Sequence, residues 1–312
     1  MHRISIIIPN YNCSQWLPKV IKSCLIQKYL YEIIVVDDNS TDNSWEILNE
    51  LQNKYSEIIK IFKNPQKGGN NARNFGFSKS TGDYIQWLDA DDFLLEGKFE
   101  NQIKKFEENT NIDVVYSDWY MDFYENNSKF VKRKLLHKKN YNDFLFEIIS
   151  DNWSAPNNYL FKRKIAQKLN NIKAWNPNTV VAQDREYITM AALLGAKFSY
   201  TKGFFSIYNR WNTNSVSSMN FKKRLQYQLE LERKFRKRVI ENNYAKKSEK
   251  KYLALLNSHT MNACFYNPKL KIFNSFSFFN INWKIIHWKK HPVIPFIYIW
   301  QHLKYFFKLI KK

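Results

Sequence analysis

DYIQWLDADD, residues 83–92, carries an apolar run of strand character and then three aspartates within four positions. Aspartate is depleted from strands, so Asp89, Asp91 and Asp92 belong at the carboxyl end of the strand that precedes them. Open α/β sheets bind their ligands at that end. Outward from this stretch, the first 118 residues repeat one pattern, a short apolar run followed by a segment of helical spacing. RISIII precedes SQWLPKVIKSCLIQ, EIIVVD precedes a helix after DNSTD, and IIKIF precedes NNARNFGFSKS. DYIQWL precedes EGKFENQIKKFEE, and VVYSD closes the series. This is the βαβ signature of an α/β fold, a Rossmann-like, mostly parallel sheet with helices on both faces.

Beyond Asp118 the pattern loosens. Residues 119–141 are polar and aromatic without a clear period and read as an irregular connection or a hairpin. NNYLFKR, residues 157–163, reads as a strand, and QDREYITMAALLG, residues 183–195, has the helical spacing of Tyr187, Met190, Ala191 and Leu194. FSY and FFSIYNR read as two closing strands. From Phe221 the chain is helical and basic to about residue 243, then helical again from Lys251 to Phe265. A boundary near 218 divides a catalytic domain, 1–218, from a basic, aromatic-rich helical region, 219–312.

The chain of 312 residues is long enough for one large domain and an appendage, and its formal net charge is +21. Lys, Asn, Ile, Tyr and Phe are abundant together, a bias that the base composition of the coding DNA can produce, so basicity alone is weak evidence for an acidic partner. Its distribution says more. No Asp or Glu follows Glu249, while eleven lysines fall in the last 63 residues. No nucleic-acid motif accompanies this charge, and nucleic acid is not expected as a partner. Cys13, Cys24 and Cys264 are odd in number and lack CxxC spacing, which argues against a disulfide framework or a zinc site. The first apolar run is too short for a secretory signal, and the uncharged stretch PVIPFIYIWQHL has 12 residues, fewer than the roughly 20 a spanning helix needs. A cytoplasmic protein is expected.

Three constellations carry chemistry. In IIVVDDNSTD, residues 33–42, a buried strand ends in Asp37 and Asp38; Asp42 or Ser40 can cap the next helix, which leaves Asp38 to accept a hydrogen bond from a ligand such as a nucleobase amide. KGGNNARNFG, residues 67–76, is neither GxGxxG nor a Walker loop. It is a tight turn into a helix, with Arg73 either on a solvated face or, like Lys67, facing phosphate. DADD suits a hard cation such as Mg²⁺ or Mn²⁺, which takes one or two carboxylates together with substrate phosphates. The plain alternative is a solvated acidic turn.

Taken in order, SIIIPNYN, EIIVVDDNSTD, the KGG and ARNFG segment, and TGDYIQWLDADD closely resemble glycosyltransferase family 2, the inverting nucleotide-sugar transferases of the GT-A fold. The resemblance is strong over residues 3–118 and weaker to about 217. It implies a nucleotide pocket containing Pro9 and Tyr11, with Tyr11 stacked on the base and Asp38 hydrogen-bonded to it. It places Asp89 toward the ribose or the metal, makes Asp91 a metal ligand, and makes Asp184 the catalytic base. It also implies a nucleotide-sugar donor, a glycan or lipid-linked glycan acceptor, and a role in bacterial capsule, lipopolysaccharide or related polysaccharide synthesis. Two departures stand out. Gln183 occupies the position where the family usually has Glu, and Trp211 falls near an expected His, leaving Arg210 as the cationic candidate there. These departures support a rival reading, a catalytically silent nucleotide-sugar or carbohydrate-binding protein of the same fold. Asp184 could also serve merely as a helix N-cap.

The tail adds one expectation. From Lys269 to Lys312, nine lysines alternate with Phe, Trp, Tyr and Ile, a composition able to lie on an anionic membrane surface without crossing it. That would make the enzyme peripheral on the cytoplasmic face of the inner membrane. The alternative is that these aromatics pack on the catalytic domain or in a homodimer interface.

Overall fold

Ile4, Ile6 and Ile8 project to one side of strand β1 (Ile4–Asn10) and Ile7 to the other, and all four are fully buried. Such a strand needs cover on both faces. The computed structural model describes residues 2–125, 129–211, 220–242 and 245–266, and it supplies that cover with helices. After β1 come α1 (Leu17–Leu25), β2 (Leu30–Asp37), α2 (Ser44–Lys54), β3 (Ile59–Lys63), α3 (Gly69–Lys79), β4 (Tyr84–Trp87), β5 (Phe93–Leu94) and α4 (Lys98–Glu108). Then follow β6 (Val114–Glu125), β7 (Lys129–Leu136), α5 (Phe144–Ile149), β8 (Leu160–Lys162), α6 (Arg163–Asn171), α7 (Gln183–Leu193) and β9 (Phe198–Trp211). Two more helices, α8 (Phe221–Glu241) and α9 (Glu249–Tyr266), complete the described chain.

The strands form one sheet in the order β3-β2-β1-β4-β8-β6-β9-β5, with β7 paired on β6. β3, β2, β1 and β4 are parallel, β8 is antiparallel to β4 and β6, and β6 and β9 are parallel again. On one face Ile4, Ile6, Ile8, Ile33 and Val35 pack with Leu17, Val20 and Ile21 of α1 and Phe99, Ile103 and Phe106 of α4. On the other, α3 lies so close that a Cβ on Gly76 would stand 2.6 Å from a methyl of Ile7 and 3.2 Å from one of Val36. Asn10 pairs with Asp37, Asp37 with Lys63, and Ile7 with Trp87, so the carboxyl ends of four parallel strands open on one side.

The mostly parallel α/β fold read from the sequence is the fold observed. Three local readings change. The two closing strands are one 14-residue strand, β9. Its register against β6 shifts on either side of Asp118, and Gly203 takes φ +131, so an irregular bend imitates a break in the sequence. The stretch after Asp118 is the hairpin option, β6 extending to Glu125 and pairing with β7. The strand expected over 157–163 is limited to Leu160–Lys162, because Pro156–Asn158 forms a single 3₁₀ turn.

The chain divides into two compact units, residues 1–219 and 220–312. In the second, α8 and α9 pack on each other, with Leu229, Phe235, Val239, Leu255 and Leu256 buried and Arg236 hydrogen-bonded to Asn257. No helix of the described residues is long and apolar enough to cross a membrane. The expectation for the lysine-rich tail falls on residues 267–312, outside the described residues.

Candidate active site

The DADD turn is built on its third acid. Asp92 is fully buried and accepts hydrogen bonds from the Asn209 backbone N–H at 2.9 Å and from Asn157 Nδ2 at 3.1 Å. Asn209 also donates from its side chain to the Asp91 carbonyl, and Asn157 to the Ile207 carbonyl at 2.9 Å. Burial, with the charges of Asp91 and Asp89, holds the Asp92 carboxyl well above the ordinary carboxylate range. Asp92 therefore anchors the turn to β9, and Asp89 and Asp91 are left at the cleft. Burial and then the charge of Asp89 push Asp91 up to about 6. The Trp211 indole N–H donates to Asp91 Oδ2 at 2.7 Å, and its ring lies between Trp16 and Tyr124, with centroids 4.4 and 4.3 Å away. Where the family resemblance leads one to expect a histidine, this chain has a side chain that cannot ligate a metal but can hold a carboxylate in place.

The second acid group is tied to the first through Arg73. Its guanidinium donates to Asp89 Oδ1 at 2.6 Å, Asn70 Oδ1 at 3.1 Å and Gln183 Oε1 at 3.3 Å, and lies 4.5 Å from the Trp175 ring centroid. Asn70 and Asn74 of α3 also donate to the Asn176 and Trp175 carbonyls, at 2.7 and 2.9 Å. They hold the segment that leads into α7. Ala182 turns that segment with φ +54 and ψ +42, a left-handed conformation costing an alanine roughly 1–2 kcal/mol. The helix cap is Ala182, so Asp184 is not spent on capping and stands in the first turn. Burial and the charge of Asp89 push Asp184 up to about 6, opposed by the Arg185 N–H at 2.8 Å and by the positive charge of Arg73. Arg73 is buried rather than on a solvated face.

At the carboxyl end of β2, Asp37 and Asp38 divide the work. Asp37 is fully buried and accepts from Asn10, Ser40 and Lys63, which joins the ends of β1, β2 and β3. Asp38 accepts the Gly68 N–H on both oxygens, at 2.8 and 2.9 Å, and Asn64 Nδ2 at 2.6 Å. It shapes the KGG turn, where Gly68 adopts φ +122. Of the expected caps, Asp42 accepts the Ser44 N–H at the start of α2, whereas Ser40 is turned to Asp37. Pro9 pairs with Val36 one residue before the end of β1, and Tyr11 is 48% exposed, with the Lys67 amine 5.9 Å from its ring centroid. These residues leave an open aromatic face beside one cation.

Thus the structure gathers Asp89, Asp91, Asp184 and Arg73 at one place and Pro9, Tyr11, Asp38 and Lys67 at another. Arg210 lies on β9 between Asn209 and Trp211, its guanidinium 5.7 Å from the Phe123 ring. Sequence reasoning missed Trp211, Asn157 and Asn209 as supports of the turn. The only signal for the asparagines was amide side chains inside apolar, strand-like text.

The chain belongs to glycosyl transferase family 2, whose family model matches residues 5–169, 165 of 312 residues. It is therefore a glycosyltransferase by family, and its fold is GT-A. It is similar to UDP-Glc:alpha-D-GlcNAc-diphosphoundecaprenol beta-1,3-glucosyltransferase WfaP of Escherichia coli, 41% identical over 123 residues that cover 39% of this chain and 48% of that protein. The matches span 48%, 42% and 53% of three curated relatives, about half their length. Among solved structures, S. aureus TarS 1-349 in complex with UDP-GlcNAc resembles it with TM-score 0.60 and 18% identity, over 87% of this chain and 75% of that one. Mannosyltransferase PcManGT of Pyrobaculum calidifontis, in complex with GDP-Man and Mn²⁺, gives TM-score 0.52 and 16% identity over 86% and 76%. At these identities the likeness is one of fold.

Proposed function

We propose that the protein transfers a sugar, with inversion, from a nucleotide-sugar donor to a hydroxyl of a glycan or lipid-linked glycan acceptor, with Mg²⁺ or Mn²⁺ bound. The observation that carries this reading is the pair of recessed carboxylates, Asp91 and Asp184, each pushed up to about 6, one on the DADD turn and one on α7, with Arg73 joining the two elements through Asp89 and Gln183. A relative named for transfer to a diphosphoundecaprenol-linked GlcNAc supports the choice of acceptor. Neighbours holding UDP-GlcNAc and GDP-Man with Mn²⁺ support the donor and the cation.

The residues present fit a divalent cation shared with the donor. Asp91 is raised partly by the charge of Asp89, a repulsion that a cation relieves. Among the described residues no three His, Cys, Asp or Glu side chains converge to hold a metal alone. One or two carboxylates completed by substrate phosphates is the donor set magnesium commonly takes. When bound, the cation supplies positive charge to the departing diphosphate.

The chain's own groups do the rest. Tyr11 offers its exposed ring to the nucleobase, and Asp38 holds the turn that carries Lys67 toward the phosphates. Asp184 takes the proton from the acceptor hydroxyl as the oxygen bonds to the anomeric carbon, and the bond from that carbon to the diphosphate oxygen breaks on the opposite face. With its acidity near 6, Asp184 is ionised at neutral pH yet more basic than an ordinary aspartate. The product belongs to bacterial surface polysaccharide synthesis on the cytoplasmic side of the membrane. A panel of UDP- and GDP-sugars with Mn²⁺ tests the reading: one donor should raise the melting temperature only with the cation present and should yield nucleoside diphosphate on turnover. Failure of every donor in both readouts removes the proposal.

A further inference from the structure

A second aromatic cluster lies beside the acids, separate from the main core. Trp119 and Met121 are buried in it, and Trp153 and Tyr208, each only partly buried, pack against them. Tyr208 stands nearly perpendicular to Trp153, centroids 6.0 Å apart at 88°, and Trp119 lies 5.5 Å from Trp153. The segments that carry these rings are fastened to the acids. Tyr208 precedes Asn209, which holds both Asp92 and the Asp91 carbonyl. Trp153 lies midway between two anchors. Before it, the Ile148 and Ile149 carbonyls accept from Arg185, the residue after Asp184; after it, Asn157 donates to Asp92. The Lys138 amine fixes the backbone here, donating to the Trp153 carbonyl at 2.9 Å and to Asn152 Oδ1 at 2.6 Å.

Burial first, and then the charges of Asp92, Asp184, Asp91 and Asp89, raise the Tyr208 phenol above its ordinary range. No protein hydrogen bond to that hydroxyl is found among the described residues. The nucleobase region, Tyr11 and Asp38, lies at the ends of β1 and β2, whereas this wall is built on β6, β9 and the segment after α5.

We propose that Trp153 and Tyr208 form the acceptor subsite and that its occupant is a pyranose ring, stacked by its C–H face on Trp153 while the Tyr208 hydroxyl bonds one of its oxygens. The inference rests on the transferase reading above and deepens it. An aromatic body with a polar tip suits a ligand that has one apolar face and hydroxyls at its rim. A purely apolar chain in the same place would leave the neighbouring carboxylates desolvated and unpaired, at a cost of several kcal/mol. A sugar ring can satisfy them with its hydroxyls and also delivers one hydroxyl to Asp184.

The test is saturation-transfer NMR on the full chain with Mg²⁺ and UDP, presenting methyl glucopyranoside and N-acetylglucosamine. Saturation should reach the ring C–H protons with the wild type, fall at least fivefold in Trp153→Ala, and persist in reduced form in Trp153→Phe and Tyr208→Phe. Calorimetric UDP binding should stay within twofold in all three. If Trp153→Ala does not fold, the Phe variants carry the comparison. The proposal is overturned if neither sugar binds the wild type, if the variants bind it equally, or if a short polyprenyl phosphate occupies the wall in place of the sugars. Loss of UDP binding in Trp153→Ala also overturns it, because the wall would then serve the donor. Should the wild type bind pyranosides but no nucleotide, the transferase reading fails and the wall is a sugar-binding site rather than an acceptor subsite.

Discussion

Arg73 and Gln183 meet at 3.3 Å, Nη1 to Oε1, while Nη2 of the same guanidinium holds Asp89 at 2.6 Å. One buried cation thus spans the turn that bears Asp91 and the helix that bears Asp184. A neutral amide at 183 leaves Arg73 paired with one carboxylate. In Gln183→Glu a second carboxylate stands one residue from Asp184, and its negative charge disfavours ionisation there. The acidic limb of kcat/KM, which reports the free enzyme, is expected to move above the wild-type position near pH 6. An unmoved or lowered limb would show that residue 183 is electrostatically uncoupled from the base.

Asp91→Ala is expected to abolish transfer and metal-dependent nucleotide binding while lowering the melting temperature only modestly, because the Asp92 side chain still ties the turn to β9 and only the Trp211 bond to Asp91 is lost. Calorimetry settles it. Manganese-dependent UDP or GDP binding at wild-type strength would remove Asp91 from the metal site.

Asp184→Asn should keep donor binding and lose turnover by roughly 10²- to 10⁴-fold, the usual cost of a positioned general base. The same change carries a sign in stability. A carboxyl raised to about 6 is charged in the folded state above that pH at an energetic cost, and near pH 3 it is protonated in folded and unfolded chains alike. The variant should therefore melt higher than wild type at pH 8 and converge with it as the pH falls below about 4. Melting curves at the two ends of this range decide it; a lower melting temperature at pH 8 contradicts the assignment of a strained, functional carboxylate.

Gly76→Ala tests how α3 is set on the sheet. Its Cβ would meet the Ile7 methyl at 2.6 Å inside the core. Overpacking of this kind costs about 1–3 kcal/mol. Urea denaturation should report a loss in that range, and a neutral result would mean that α3 can move outward freely.

For the tail, a chain ending near residue 268 is expected to lose sedimentation with anionic vesicles at low salt while still binding donor and metal, since each lysine near such a surface contributes about 1 kcal/mol. Misfolding of the shortened chain, or indifference of the full chain to vesicles, would make the tail a packing element.

What the sequence determined by itself was whatever repeats locally. The alternation of apolar runs and helical spacing specified the parallel sheet, and depletion of aspartate from strands placed Asp38, Asp89 and Asp91 at strand ends. The family motifs then singled out Asp184. What only the tertiary structure decided was which side chains meet across long separations. Arg73 lies 110 positions before Gln183, and Trp211 lies 120 after Asp91. No periodicity encodes such pairs, because they follow from how α3, α7 and β9 close over the strand ends. The same reason explains β9, whose bend at Gly203 is a break in the text but a continuous strand once β6 pairs along it. The roles of the adjacent acids were likewise hidden. Asp37 and Asp92 anchor, Asp38 shapes a turn, and Asp91 faces the cleft, a division set by the donors that packing brings to each carboxylate.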